Sequence, residues 1–330
     1  MMLTDWRESF RDSFKSTRDL SLFLSTPLDQ NVDEKYPLFV PRRITEKIKK
    51  LGLNSPYAKQ FLSQSVELDL KTQEQGLIDP IGDELYLKAP QLIHRYENRA
   101  LFTPTTICPV HCRYCFRKNE LYSSKEIFHS EFEKTIDYLR SHPEIEEIIF
   151  TGGDPFTLSD EKLAFYLEAF SKIDHLKYLR FHTRYPVILP ERFGENLLNL
   201  LEEFKTRFLQ TTIVIHANLA EEFDEDSVIA IKKLDNIGLK LLSQSVLLKD
   251  VNNDLKTLTL LIEKLLSLGI RPYYLHHPDL VKGGMHFYLS EAEGRELYYK
   301  LRKKFPGWAL PQYIKELPLG AGKSLVSNLE

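Results

Sequence analysis

Three cysteines stand within eight positions, Cys108-Pro-Val-His-Cys112-Arg-Tyr-Cys115, and the chain has no others. Thiols this close cannot staple distant segments, so they make a poor disulfide framework and a good metal-binding set. A [4Fe–4S] cubane takes cysteine thiolates, and three protein ligands leave one iron open to a chelating small molecule. A structural zinc would need a fourth ligand, and His111, caught between two thiols in a tight loop, is poorly placed to supply it. Three incidental buried cysteines are the remaining reading, and their clustering speaks against it. The spacing points to a cluster on Cys108, Cys112 and Cys115.

Two further stretches carry unusual residues. Thr151-Gly152-Gly153-Asp154-Pro155 reads by itself as a turn, whose glycines let another group approach the backbone. Near the end, Leu317-Pro318-Leu319-Gly320-Ala321-Gly322-Lys323-Ser324 sets a lysine among small residues. It lacks the spacer and following helix of a phosphate loop. A Schiff-base lysine, approached by an aldehyde past small neighbours, competes with a plain exposed tail lysine.

Elements that could position these groups are legible from apolar periodicity. Short β-branched runs suggest strands near 100–105, 147–150, 176–181, 212–215, 239–242 and 270–275. Amphipathic helical patterns fall between them, at 159–172, 190–205, 227–236 and 255–268. Pro190 suits a first helical turn, and Gly238 and Gly269 suit helix stops. Six βα units in series imply an α/β fold with a parallel sheet, curled into an open partial barrel or doubly wound. Ligands gather at the carboxyl ends of such strands. The cysteines, Gly152 to Asp154, His182 to Arg184, His216 to Asn218, Ser243 to Ser245 and His276 to Asp279 all fall there. The first ninety or so residues read as helical and irregular. The expected division is 1–94 for that region, 95–305 for the barrel and 306–330 for the segment carrying Lys323.

The totals set outer limits. The 330 residues are 42% hydrophobic and 28% charged, with a net charge of −3 and a pI near 6.4. That is ordinary globular composition, and it argues against an electrostatic nucleic-acid binder. No apolar run reaches the ~18 residues of a membrane span. Met1 to Lys15 lacks the apolar core of a signal peptide, so a cytoplasmic protein without membrane partners is expected. Assembly of several copies is left open.

The cysteine spacing, directly after a first barrel strand, resembles the radical S-adenosylmethionine superfamily. That resemblance implies a [4Fe–4S] cluster whose open iron holds the amino and carboxylate groups of S-adenosylmethionine. An electron from a reductant then releases a 5′-deoxyadenosyl radical. Gly152 and Gly153 resemble the family's glycine-rich loop, and Asp154 is expected to accept a hydrogen bond from the cofactor's amino group. A narrower resemblance rests on Arg95-Tyr96-Glu97-Asn98-Arg99, Cys112 to Arg117, Gly152-Gly153-Asp154, Gln244 to Leu248, Arg271 to Tyr274 and Gly322-Lys323, in this order. Together they are similar to the lysine 2,3-aminomutase family, which moves the α-amino group of L-lysine to the β-carbon with pyridoxal phosphate as second cofactor.

That similarity implies that Lys323 forms the imine with pyridoxal phosphate, that Arg95 contacts its phosphate, and that His216 and Gln244 line its pocket. It implies Arg117 as the clamp for the substrate carboxylate, with Asp279 and Glu316 receiving the far ammonium. Glu316 is longer than the aspartate usual there, and His276 stands in place of a tyrosine. Seven residues follow Lys323, and the extra cysteines of the longer enzymes are absent. These departures resemble the short branch that makes β-lysine for modifying elongation factor P. Two rival readings stand beside this one. The substrate could be another amino acid such as glutamate, which would need a basic pocket and which Lys282 keeps open. A non-enzymatic iron–sulfur or zinc module is the other.

Overall fold

The computed structural model describes residues 5–119, 129–318 and 322–326. Ten strands form one sheet whose order follows the chain. They are β1 (Leu87–Ala89), β2 (Leu92–Tyr96), β3 (Arg99–Thr105), β4 (Glu147–Gly152), β5 (Tyr178–Thr183), β6 (Gln210–His216), β7 (Lys240–Val246), β8 (Arg271–His276), β9 (Gln312–Leu317) and β10 (Gly322–Leu325). Strands β3 to β9 run parallel. Antiparallel pairs flank them, β1 with β2, β2 with β3, and β9 with β10. The sheet curls without closing, a partial barrel.

The six expected strands are all present, each close to its expected place. The other four were not legible: β1, β9 and β10 carry lysine or glutamate among their apolar residues, so no clean alternation marks them. Strand β2 lies inside the arginine–tyrosine motif. One helix differs from expectation. Pro190 opens only a single turn, Pro190–Arg192, and the long helix starts after Gly194 at Glu195 and runs to Lys205. Gly194, extended at φ −80° and ψ 173°, separates the two. Gly238 and Gly269 do end helices, at φ +76° and +72°, in the left-handed region that glycine tolerates.

Burial explains the curl. Phe102 on β3 packs edge-on against Phe150, Tyr166 and Phe170, beneath helices that cover the outer face. The same core takes in Leu20, Ile44, Ile48, Tyr57 and Phe61 from the N-terminal region, so that region shares one hydrophobic core with the barrel. A second cluster, with Leu247, Leu258, Leu301 and Tyr313, lies under the last parallel strands. Ladder hydrogen bonds do not join the two sheet edges, but side chains do. The Tyr96 hydroxyl accepts from Lys323 N at 2.6 Å, and Arg95 Nη2 donates to Leu317 O and Pro318 O at 3.1 and 2.8 Å. Among the described residues, no helix is long and apolar enough to cross a membrane.

Candidate active site

A cavity of about 250 Å³ opens at the carboxyl ends of the parallel strands, and all thirteen expected site residues line it. Its upper wall is the cysteine loop. Backbone bonds fix this loop on both sides: Gly153 N donates to Thr105 O at 2.8 Å and Asp154 N to Ile107 O at 2.9 Å, while His111 N and Arg113 N donate to Phe39 O and Gln60 O, each at 2.8 Å. A Cβ on Gly153 would come within 2.7 Å of Ile107 N, and one on Gly152 (φ +98°) within 2.8 Å of Thr103 Cβ. The glycines therefore serve first to seat the cysteine loop on β4, a packing role that the sequence did not indicate.

Among the described residues, no group of three His, Cys, Asp or Glu side chains converges on a single metal ion. A cubane, unlike a zinc ion, does not require its thiolates to meet at one metal, since each binds a different iron. His111 is turned away, its Nδ1 2.9 Å from Pro37 O. Burial pushes the Cys115 thiol up to about 12 and the Cys108 thiol well above its ordinary value, so ionising them calls for a cation bound between them. Arg184 Nη1 already donates to Cys112 Sγ at 2.7 Å. The donor set fits an iron–sulfur cluster.

Asp154 is engaged within the protein. Its carboxylate accepts from Thr183 Oγ1 at 2.9 Å on both oxygens, from Arg184 N at 2.6 Å and from Phe156 N at 3.1 Å. Both oxygens are engaged within the protein, tying β4 to β5, and burial pushes the carboxyl up to about 6 despite those bonds. Asp154 is thus a staple at the rim that also lines the cavity.

The opposite wall gathers the charged residues. Glu316 on β9 and Lys323 on β10 are cross-strand partners, with Lys323 Nζ 2.8 Å from Glu316 Oε2. Glu316 Oε1 also accepts from Arg95 Nη1 at 2.9 Å and from Tyr96 Oη at 3.2 Å. Burial alone would raise the Glu316 carboxyl, but Lys323 and Arg95 hold it below its ordinary value. Asp279 has less compensation: burial, then the neighbouring Glu316, push it up to about 7 against Lys323. His276 faces the same group, and burial, then Lys323, lower it to about 3, so it is a neutral imidazole. Residues 319–321, the small neighbours expected around Lys323, lie outside the described residues.

Arg117 forms a buried ion pair with Asp83, a residue that sequence reasoning missed. Arg95 is also more committed than expected, since its Nη2 gives three bonds to the carbonyls of Ile81, Leu317 and Pro318. Its Nε is buried with no hydrogen-bond partner among the described residues. Arg99, from the arginine–tyrosine motif, and Arg180 line the same cavity; Arg180 is unmarked in sequence because a lone arginine in a strand carries no motif. His216 Nε2 lies 2.9 Å from the Tyr114 hydroxyl, the two rings stacked at 24°, and Gln244 is its register partner on β7. His182 Nε2 also lines the cavity and is likewise buried with no hydrogen-bond partner among the described residues. Two such atoms beside a lysine and several guanidiniums fit an anionic, hydrogen-bonding ligand such as a phosphorylated aldehyde.

Comparison with known proteins agrees with this geometry. The model of the Radical SAM superfamily matches residues 102–261, the segment that holds the thiols and most of the parallel strands. The L-lysine 2,3-aminomutase of Haemophilus influenzae is 35% identical, the match covering 98% of this chain and 96% of that protein. That of Escherichia coli is 34% identical over 95% and 92%. The glutamate 2,3-aminomutase of Clostridioides difficile is 33% identical over 80% of this chain and 62% of its own length. With three thiols at one wall, a lysine facing them and near full-length similarity, the chain belongs to the L-lysine 2,3-aminomutase family of radical S-adenosylmethionine enzymes.

Proposed function

We propose that this protein converts L-lysine to β-lysine by migration of the amino group from the α- to the β-carbon. The observation that carries the reading is that Cys108, Cys112 and Cys115 share one cavity with Lys323, Asp279 and Glu316. A [4Fe–4S] cluster supplies the electron that cleaves S-adenosylmethionine, and pyridoxal phosphate supplies a π system that spreads the unpaired electron. The three cysteines hold the first cofactor, and Lys323 holds the second. Arg99 and Arg180 join Arg95 as candidates for its phosphate; Arg99 suits this better than Arg95, because its one hydrogen bond among the described residues goes to the adjacent Asn98. His216 and Gln244 complete the wall beside it.

Arg117 presents a planar guanidinium to the substrate carboxylate, with Asp83 fixing its orientation. Asp279 and Glu316 offer negative charge to the distant ammonium. The site's own walls exclude water from the reacting carbons. Delivery of β-lysine to elongation factor P extends the same proposal and is supported by the resemblance to the short branch alone.

The glutamate reading has a specific observation against it. Lys282, the cation that kept this reading open, does not line the cavity, whereas Asp279 and Glu316 do. The test is anaerobic reconstitution with iron, sulfide, pyridoxal phosphate and S-adenosylmethionine, reduction, and chiral product analysis with L-lysine and L-glutamate in parallel. The expected product is β-lysine from lysine alone. Conversion of glutamate with lysine inert would overturn the substrate assignment. A reduced, iron-loaded protein that makes no 5′-deoxyadenosine with either amino acid would favour a binding module. Replacing any of the three cysteines with alanine should abolish both iron loading and turnover.

A further inference from the structure

Arg184 follows the last residue of β5 and points back across the rim at the cysteine loop. Its Nη1 donates to Cys112 Sγ at 2.7 Å. Its Nη2 donates to Gln60 Oε1 at 2.9 Å and to Glu222 Oε2 at 2.7 Å. The guanidinium carbon lies 5.0 Å from the Phe61 ring centre and 5.6 Å from that of Tyr114, so aromatic rings flank it. Only 7% of the side chain is exposed. Glu222 is anchored in turn, its Oε1 accepting from Asn218 N at 2.8 Å, Leu219 N at 3.0 Å and Gln60 Nε2 at 3.3 Å. A buried cation with both terminal nitrogens engaged is costly to build. Neither Lys323 nor the acids of the substrate wall touch it.

We propose that Arg184 is a positioning residue for the iron–sulfur cluster, fixing Cys112 and raising the cluster's reduction potential through a charged N–H···S hydrogen bond. The inference rests on the cluster reading above. Reduction adds one electron to the cluster, and its charge is shared with the ligating sulfurs. A cation hydrogen-bonded to one of those sulfurs stabilises the reduced form more than the oxidised form. The Glu222 carboxylate weakens this pull, but it sits behind the guanidinium and farther from the sulfur. The N-terminal region thereby acquires a function, since Gln60 and Phe61 hold the guanidinium in its plane. Without the bond, the electron that cleaves S-adenosylmethionine would have to come from a stronger reductant.

The experiment compares reconstituted full-length protein with Arg184→Met, Arg184→Lys and Glu222→Gln, each assayed for iron and acid-labile sulfide. Potentials are then read by EPR-monitored redox titration. The expected order is Arg184→Met lowest, Arg184→Lys intermediate, the natural protein next and Glu222→Gln highest. A loaded Arg184→Met protein with the natural potential overturns the proposal. If Arg184→Met fails to load, Glu222→Gln decides, an upward shift supporting the proposal and an unmoved potential overturning it. Natural protein that takes up no iron overturns the cluster reading itself, and this proposal with it, an outcome distinct from a loaded cluster with an unmoved potential.

Discussion

Lys323 and Glu316 face one another across β9 and β10, and the Nζ–Oε2 distance of 2.8 Å makes each the other's ion-pair partner. Glu316 keeps Arg95 and Tyr96 if Lys323 is removed, so the pair can be cut without stranding a buried charge. Lys323→Ala should therefore fold, losing roughly 1 kcal/mol or less. It should lose the pyridoxal imine absorbance while its iron content stays unchanged. An imine band persisting in that variant would assign the linkage to another lysine.

Asp279 sets a pH dependence. Its carboxyl, pushed up to about 7, is mostly neutral at pH 6 and mostly ionised at pH 8. A free lysine ammonium, with a pKa of about 10.4, stays charged throughout. The KM for lysine should fall as pH rises through 7. Asp279→Asn should flatten that profile and raise KM on the order of 30-fold, the effect of losing about 2 kcal/mol of charge pairing. The folded pKa lies above the unfolded value, so this group withdraws stability as pH climbs from about 4 to 7. The asparagine variant should consequently gain melting temperature at pH 8 relative to pH 5. A KM profile of unchanged shape would remove Asp279 from substrate recognition.

Gly153 seats the cysteine loop. A methyl group there meets Ile107 N at 2.7 Å, backbone that cannot rotate aside. Gly153→Ala should cost about 1–3 kcal/mol as overpacking. Iron loading should drop with it, because the loop must shift. Normal iron content and an unchanged denaturation midpoint together would show that the loop accommodates the methyl.

Glu67 is the sole carboxylate bonded to both Arg113 and Lys118 among the described residues. It accepts from Arg113 Nη2 at 2.5 Å and from Lys118 Nζ at 2.9 Å, and all three side chains are buried. Glu67→Ala leaves two cations unpaired beneath the thiols. A loss of about 3–5 kcal/mol is expected in chemical denaturation. A loss below about 1 kcal/mol would mean that water reaches the site.

Much of this site is local in the chain and could be read from it. The cysteine spacing needs only eight residues, and six of the seven parallel strands announce themselves by short apolar runs. Partners of charged side chains are another matter. Arg117 and Asp83 are 34 residues apart, Arg184 and Cys112 are 72, and Arg95 and Glu316 are 221. No periodicity connects such pairs, so Arg117 could be read as a substrate clamp but not as half of a buried ion pair. The same holds for Asp154, whose bonds to Thr183 and the Arg184 amide come from beyond its own loop. The break after Pro190 depended on Gly194 taking an extended conformation, a choice that the surrounding apolar pattern does not encode.

The strand order has a kinetic consequence. Every parallel neighbour is also the next strand in the chain, so most of the sheet assembles through modest loops with a small entropy of closure. The contacts of Arg95 with Glu316 and of Tyr96 with Lys323 span 221 and 227 residues and have to wait for the final hairpin. During synthesis the thiol-bearing half of the crescent is complete well before Lys323 leaves the ribosome. The wall that carries Lys323 is therefore the last part of the cavity to close.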